Sequence, residues 1–382
     1  MAIAFVVDRF GSRFGGAEAY GVALMRELVA AGHHVTVFAR EYDPACDLRL
    51  AFHPIRISRR WPGWIRSWLF ARQAARMTRQ GFDIVHSHMN GWCGDVEVVH
   101  VTPVRYRWRV QAMSPMKRGL SYTSLRVWAY LGLEARRVAP RPAHRVVAVS
   151  HLIAHQLGQA YGGRVGQAPV IAPGVAAAPP VSAEQRRQSR RALGLPDHGV
   201  LCLLVARNPL RKGLPTVLQA LQQLPDDVLL MVVGANAASR DYVAQAPEAV
   251  RQRVHLVAET SQVAPYYQAA DIYVHPTLND SFGMAPLEAM SFGLPVILSP
   301  APWCGFAQYV KAGEEALVLS HPEKADELAQ MLRTLISDAA LRERLVVGMQ
   351  GVLARHAWPE VSRQYLALYA DVLQERQSLP GR

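Results

Sequence analysis

Short runs rich in Val, Ile and Leu alternate with amphipathic helical stretches twice along this chain, and that alternation narrows its fold more than any other feature. Ala2–Val7 reads as a strand, Ala17–Ala30 as a helix and Val35–Ala39 as the next strand. Further strand candidates lie at Ile84–His86, Val96–Val101, Arg145–Val149 and Val170–Ala172. A second series has strands at Val200–Val205, Val228–Val233, Val254–Val257, Ile272–His275 and Pro295–Leu298, and then Pro322–Gln377 reads as nearly all helix. Strands separated by helices imply a parallel sheet covered on both faces. At 382 residues the chain exceeds one ordinary core, and Pro173–Ser189, rich in Ala, Pro, Arg and Gln, is the best linker candidate. The sequence thus predicts an α/β chain of two doubly wound, Rossmann-like domains facing a cleft: residues 1–175, residues 176–355, and a C-terminal helix at 356–382 packing back on the first domain. Ligands of such sheets bind beyond the carboxyl ends of the strands.

Composition removes several classes. Half of the residues are hydrophobic, which excludes a disordered chain. Cys46, Cys93, Cys202 and Cys304 have no paired spacing, which argues against a zinc site or a disulfide framework and fits a reducing cytoplasm. The apolar start runs straight into Asp8 and Arg9, so it reads as a first strand and not as a signal peptide, and no apolar run reaches the roughly 18 residues of a membrane span. The net charge of +12 is uneven: residues 1–175 hold 23 Arg and Lys against 10 Asp and Glu, whereas residues 176–382 hold 19 against 20. The N-terminal half is therefore expected to meet something anionic: nucleic acid, a phospholipid surface or a phosphorylated substrate.

The chemistry concentrates in Thr277-Leu-Asn-Asp280-Ser-Phe282-Gly283-Met284-Ala-Pro-Leu-Glu288, where seven residues separate two carboxylates around a turn and a helix start. Free N–H groups and the positive dipole end of a helix hold anions. Carboxylates beside such a cradle would repel an anion unless they gripped hydroxyls of the same ligand, which describes a nucleotide-sugar site. Glu288, one turn into the helix, can accept two hydroxyls of a ribose diol, and Asp280 lies nearer the transferred group. A helix cap explains Asp280 or Ser281 as well, but not Glu288. Val205-Ala-Arg207-Asn-Pro-Leu-Arg-Lys212-Gly213 follows the first strand of the second series, and Lys212 is one of only four Lys beside 38 Arg. A compact ammonium suits a phosphate, so Arg207 and Lys212 are candidates for a diphosphate; a solvated basic turn is the plain alternative. In the first half, Gly15 and Gly16 stand between a strand and a helix, where backbone can approach a ligand closely, although a simple turn would use them too.

His100 ends an apolar strand at a position where cleft residues sit. His86 and His88 share one strand face, a spacing that suits a metal, but no third ligand is suggested and no Asp-x-Asp motif occurs, so no metal is expected. Two basic aromatic stretches remain. One runs from Arg56 through Arg59, Arg60, Trp61, Trp64, Arg66 and Trp68 to Arg72 and Arg76; the other comprises Arg105, Arg107, Trp108 and Arg109 and continues to Lys117, Arg118 and Arg126. Trp and Tyr beside Arg suit a membrane interface or single-stranded nucleic acid, and an Arg-flanked core helix is the third reading of the first stretch.

On these motifs the chain resembles the retaining glycosyltransferases of family 4, which have the GT-B fold. Asp280-x7-Glu288 is similar to their Glu-x7-Glu, with Asp in place of the first Glu; Gly15-Gly16-Ala-Glu18 is similar to their early Gly-Gly loop, and Arg207 with Lys212 to their phosphate-binding pair. Trp303–Val310 and the region of Asp95 resemble lipopolysaccharide core glucosyltransferases of the WaaG type. The resemblance implies a hexosyltransferase acting without cofactor or metal on a nucleoside diphosphate sugar, expected to be UDP-glucose, and on an anionic glycolipid acceptor. It implies His100, Asp280 and Lys212 as catalytic residues and donor contacts from Gly15, Gly16, Arg207, Lys212, Phe282, Gly283, Met284 and Glu288. Arg59, Arg60, Trp64, Arg66, Trp68, Arg105, Arg107, Trp108 and Arg109 would meet the acceptor or an anionic membrane from the cytoplasmic side, as a peripheral protein of the inner face. A nucleotide-sugar 2-epimerase or phosphorylase would use the same two domains. A nucleic-acid-binding protein would explain the charge but not Asp280 and Glu288, and no nucleic-acid partner is expected.

Overall fold

The apolar runs of the first half form β1 (Ala2–Val6), β3 (His34–Ala39), β5 (Ala51–Pro54), β6 (Ile84–Ser87), β7 (Val96–Val99) and β8 (Arg145–Ala148), with a two-residue ladder of β2 (Arg9–Phe10) and β4 (Glu41–Tyr42) beside them. The sheet order is β5-β3-β1-β6-β7-β8, parallel throughout, with Ile3 opposite both Val35 and Ile84. The computed structural model describes residues 1–88 and 91–379, except the side chains at 164 and 166. Helices α1 (Gly16–Ala30), α2 (Gly63–Met77), α3 (Pro115–Thr123), α4 (Leu125–Val138) and α5 (His151–Tyr161) complete the first half.

The second half has α6 (Ala183–Ala192), β9 (Val200–Val205), α7 (Leu214–Leu221), β10 (Val228–Val233), α8 (Ala237–Ala244), α9 (Glu248–Arg251), β11 (Val254–Val257), α10 (Ala264–Ala269), β12 (Ile272–His275), α11 (Met284–Ser291), β13 (Val296–Leu298), β14 (Leu317–Val318), α12 (Ala325–Ser337), α13 (Ala339–Arg355) and α14 (Trp358–Ser378). Its sheet runs β11-β10-β9-β12-β13-β14, again parallel. By rank along the chain both sheets are ordered 3-2-1-4-5-6, the doubly wound arrangement with a switch point beside its first strand.

The chain divides into Met1–Gly174 with Trp358–Arg382, and Val175–Ala357, cuts at 174/175 and 357/358 against the expected 175/176 and 355/356. In the first unit the period of two along β1 sends Ile3 and Phe5 to a core shared with Leu24, Met25 and Leu28 of α1 and Tyr365, Tyr369 and Val372 of α14. Ala4 and Val6 face the other side, against Phe70 and Ala74 of α2.

Three elements differ from the sequence expectation. Val170–Ala172 makes only an isolated bridge from Val170 to Ala148, because Pro169 and Pro173 flank it and lack the N–H a ladder needs. Ala51–Pro54 is an edge strand without an apolar face, so no alternation marks it. The linker is shorter than Pro173–Ser189: Ser182 and Gln185 form a capping box that starts α6 at Ala183.

Candidate functional site

Two loops of the second unit, one after β9 and one after β12, are locked together by a glycine. Gly213 caps α7 at φ 94°, and a Cβ there would lie 2.0 Å from the Pro276 carbonyl oxygen, so only glycine admits the contact. Leu278 N–H donates to Arg211 O at 3.0 Å across the same seam. This packing carries Lys212 to Asp280: Nζ lies 2.5 Å from Oδ2 and 3.1 Å from Asn279 O. His275, at the end of β12, donates from Nε2 to the same Oδ2 at 3.0 Å. Burial would raise the Asp280 carboxyl, but Lys212 and His275 outweigh it and hold it well below the usual carboxylate range. Burial lowers His275 despite Asp280, so the imidazole is neutral and its proton sits on Nε2.

Asp280 is not a helix cap. The N-cap of α11 is Gly283, at φ 119°, with no side-chain cap bond, and the Asp280 main chain is instead tied to the next loop through Trp303 O at 2.7 Å and Gly305 N at 3.0 Å. The Phe282 ring packs against Phe306, Tyr309 and His356, so it can offer a ligand only backbone. Among the described residues the N–H groups of Phe282, Gly283 and Met284 donate to no protein acceptor, which leaves three donors at the head of a helix. Glu288 stands one turn further on, partly buried. Tyr267 donates to its Oε2 at 3.0 Å, Oε1 has no hydrogen bond among the described residues, and burial pushes the carboxyl up against the pull of Tyr267. Arg207 is exposed and pairs with Glu259 at 2.7 Å.

In the first unit Gly15 caps α1 and Gly16 begins it. A Cβ on Gly16 would meet nothing within 4 Å, so the protein's own packing does not require glycine there. The carbonyl of Ala17 accepts from His88 Nε2 at 2.8 Å, which makes His88 Nδ1 an acceptor. His86 Nε2 must then donate to it, at 3.4 Å, and Tyr369 OH to His86 Nδ1, at 2.6 Å. Each proton of this buried chain is thereby assigned. Burial lowers all three histidines, His88 to about 3. The His100 ring lies 4.1 Å from that of His88, and its buried Nε2 has no partner. No group of three His, Cys, Asp or Glu among the described residues is arranged to hold a metal.

The aromatic stretches divide. Trp68 does not face outward: it donates to Ala129 O of α4 at 2.8 Å, Arg136 stacks on it at 4.4 Å, and Arg66 Nε is enclosed, while Trp64 is partly buried. Helical spacing shows which residues share a face but not what covers it. Arg59 and Arg60 are exposed. In the second stretch Trp108 is partly buried and Arg109 is held by Ser121 at 2.6 Å and stacked on Tyr122 at 4.1 Å, while Arg105 and Arg107 are exposed. Beyond them Met116, Leu120, Leu125 and Trp128 are 53–75 % exposed. Sequence reasoning overlooked His275 and Tyr267; a histidine ending β12 was a readable signal, whereas nothing in the sequence marks Tyr267.

Known proteins resemble this chain in sequence and in fold. Residues 14–178 match the family model described as Glycosyltransferase Family 4, and residues 185–347 that described as Glycosyl transferases group 1. A D-inositol 3-phosphate glycosyltransferase of Xylanimonas cellulosilytica is 29 % identical over 95 % of this chain and 93 % of its own. The lipopolysaccharide glucosyltransferase WaaG of Escherichia coli K12 is 24 % identical over 100 % of this chain and 97 % of its own, and a crystal structure of WaaG superposes with a TM-score of 0.75 at 21 % identity, covering 100 % of both chains. A structure of Anabaena HepE in complex with UDP-glucose superposes with a TM-score of 0.70 at 17 % identity, covering 99 % of this chain and 100 % of that one. The two matched segments follow the two sheets and span most of the chain, and it belongs to family 4 of the glycosyltransferases, an enzyme of the GT-B fold and of the WaaG type.

Proposed function

We propose that this glycosyltransferase moves glucose from UDP-glucose, with retention of configuration, to an anionic glycolipid acceptor such as a lipopolysaccharide core. The observation that carries the donor assignment is the head of α11, where one motif supplies three open N–H groups, the free Oε1 of Glu288 and the Asp280 carboxylate that holds Lys212. Glu288 holds the ribose diol. Arg207 and Lys212 take the diphosphate, and the N–H groups of Phe282, Gly283 and Met284 and the Asp280 carboxylate meet the sugar. In the first unit the backbone of Gly15 and Gly16 serves the phosphates and His100 Nε2 the transferred sugar. As the glycosidic bond breaks, negative charge grows on the diphosphate, and fixed cations lower that barrier; with them in place the reaction needs no metal. On the front face the acceptor oxygen bonds to the anomeric carbon, and the leaving phosphate oxygen takes its proton. The names of the similar proteins, WaaG and HepE with UDP-glucose, support the choice of sugar and acceptor.

The protein works on the inner face of the cell membrane, attached peripherally. No helix among the described residues is long and apolar enough to cross a membrane. The support is the exposed surface of α3 and α4, where Met116, Leu120, Leu125 and Trp128 stand beside Lys117, Arg118 and Arg126, since basic residues near an anionic leaflet add about 1 kcal/mol each. A thermal-shift panel of UDP-, GDP- and ADP-sugars on the wild type, Glu288→Ala and Lys212→Ala tests the donor site. Stabilisation by UDP-glucose is expected in the wild type and not in the variants; equal stabilisation in all three would refute the assignment.

A further inference from the structure

The outer face of α2 and the loop before it enclose an open groove of about 640 Å³ whose walls include Arg56, Trp61, Leu69, Arg72 and Arg76. An adjoining hollow of about 500 Å³ adds Arg59. None of these four guanidiniums has a hydrogen bond or ion pair among the described residues, whereas that of Arg40, which also borders the second hollow, is committed to Asp8 through two bonds. Four guanidiniums around two adjoining hollows repel one another, and Glu41 is the one carboxylate among the lining residues of the two. An anion of more than one charge bound there would offset that repulsion. Guanidinium forks match phosphate oxygens bidentately. Trp61, 51 % exposed at the rim, supplies a flat apolar face of the kind a sugar ring lies against. Arg56 follows β5 by two residues and Arg40 follows β3 directly, so the groove opens at the carboxyl edge of its sheet, where ligands of parallel sheets bind.

We infer that this groove binds a phosphorylated saccharide, with Arg56, Arg59, Arg72 and Arg76 on its phosphates and Trp61 against a sugar ring. It is the phosphate-bearing part of the acceptor that the groove takes, a step that rests on the proposed anionic glycolipid acceptor. A lipid surface fits less well, because the groove is concave and its largest exposed aliphatic side chain, Leu69, is only 38 % exposed.

The test is calorimetric titration of the full chain with glucose 1,6-bisphosphate, glucose, inorganic phosphate and phosphatidylglycerol vesicles. Wild type, Arg72→Gln/Arg76→Gln and Trp61→Ala are compared, and UDP-glucose stabilisation is recorded in each. The bisphosphate should bind and glucose should not. The double variant should weaken the bisphosphate about tenfold per arginine, the size expected for a charge-assisted bond. Trp61→Ala should weaken the bisphosphate but not inorganic phosphate, and vesicle binding should be unchanged. Bisphosphate binding that is absent, or equal in wild type and double variant, would overturn the inference. So would a double variant that loses vesicles and keeps the bisphosphate. Because Arg72 and Arg76 lie on the first unit, failure of UDP-glucose to stabilise the wild type refutes the donor site separately.

Discussion

Replacing Lys212 by Met tests whether the Lys212–Asp280 pair holds the two loops of the second unit together. Met keeps the alkyl stem and removes the ammonium, so Asp280 Oδ2 loses its 2.5 Å partner and retains only His275 at 3.0 Å. The side chains of Lys212 and Asp280 are 14 % and 19 % exposed. Breaking a buried pair from one side costs about 3–5 kcal/mol; water reaching a fifth of Asp280 reduces this to about 2–3 kcal/mol. Asp280→Asn in the same chain removes the stranded charge, so the double variant should be more stable than Lys212→Met, with a coupling energy of about 2 kcal/mol. Urea-dependent hydrogen exchange of β12 and α11 peptides isolates this unit. The pH dependence carries a sign. In the wild type the Asp280 carboxyl is depressed on folding, so its stabilisation is present above the unfolded value near pH 4 and is lost as pH falls further. Without Lys212, burial weighs more and the folded carboxyl titrates higher than in the wild type, so the deficit of the variant should shrink as pH falls. Additive single effects together with a deficit independent of pH would refute this account.

Four further outcomes are expected. Gly213→Ala should cost about 3 kcal/mol or more in thermal melts, through positive φ and collision with Pro276, whereas Gly293→Ala, at φ 75° with nothing within 4 Å of a Cβ, should cost about 1 kcal/mol. Glu288→Gln removes a charge that burial disfavours, so it should leave melting unchanged or raised while reducing UDP-glucose stabilisation. Tyr369→Phe removes the donor to His86 and should destabilise the first unit by about 1–2 kcal/mol in urea. His86, His88 and His100 are lowered by burial, so the unfolded chain binds their protons first and stability should fall as pH drops below about 6.5, with a shallower slope in His100→Asn over pH 8–5.

The sheets are legible in the sequence because buried parallel strands are continuous apolar runs, and Ile3, Val35 and Ile84 advertise themselves as such. Edge strand Ala51–Pro54 is not, since half of its pairing and most of its burial are missing. The Gly213 turn is visible as a glycine before Leu-Pro. Its purpose is not, because the atom that excludes a side chain belongs to Pro276, distant in sequence. The same distance hides Lys212 as a partner of Asp280 and makes a helix cap a reasonable reading of that residue. Trp68 shows the converse limit: its spacing identifies a helical face correctly, but α4 covers that face, and the open side of α2 carries Arg72 and Arg76 instead.

The ion pair raises a chemical question, since a lysine bound to Asp280 is a weaker electrostatic partner for a phosphate than a free one. Donor counting resolves it. The ammonium has three N–H groups; Asp280 and Asn279 O take two, and the third remains for a ligand. The pair is neutral as a unit, but it is oriented, with the positive end held by two fixed atoms. A ligand phosphate therefore meets a preorganised donor without first ordering a long flexible side chain, a cost of up to about 2 kcal/mol for a lysine. In the proposed donor site Asp280 therefore acts through Lys212, by holding its ammonium in place. The short Asp280 side chain does this with one oxygen, which holds Lys212 and His275 together.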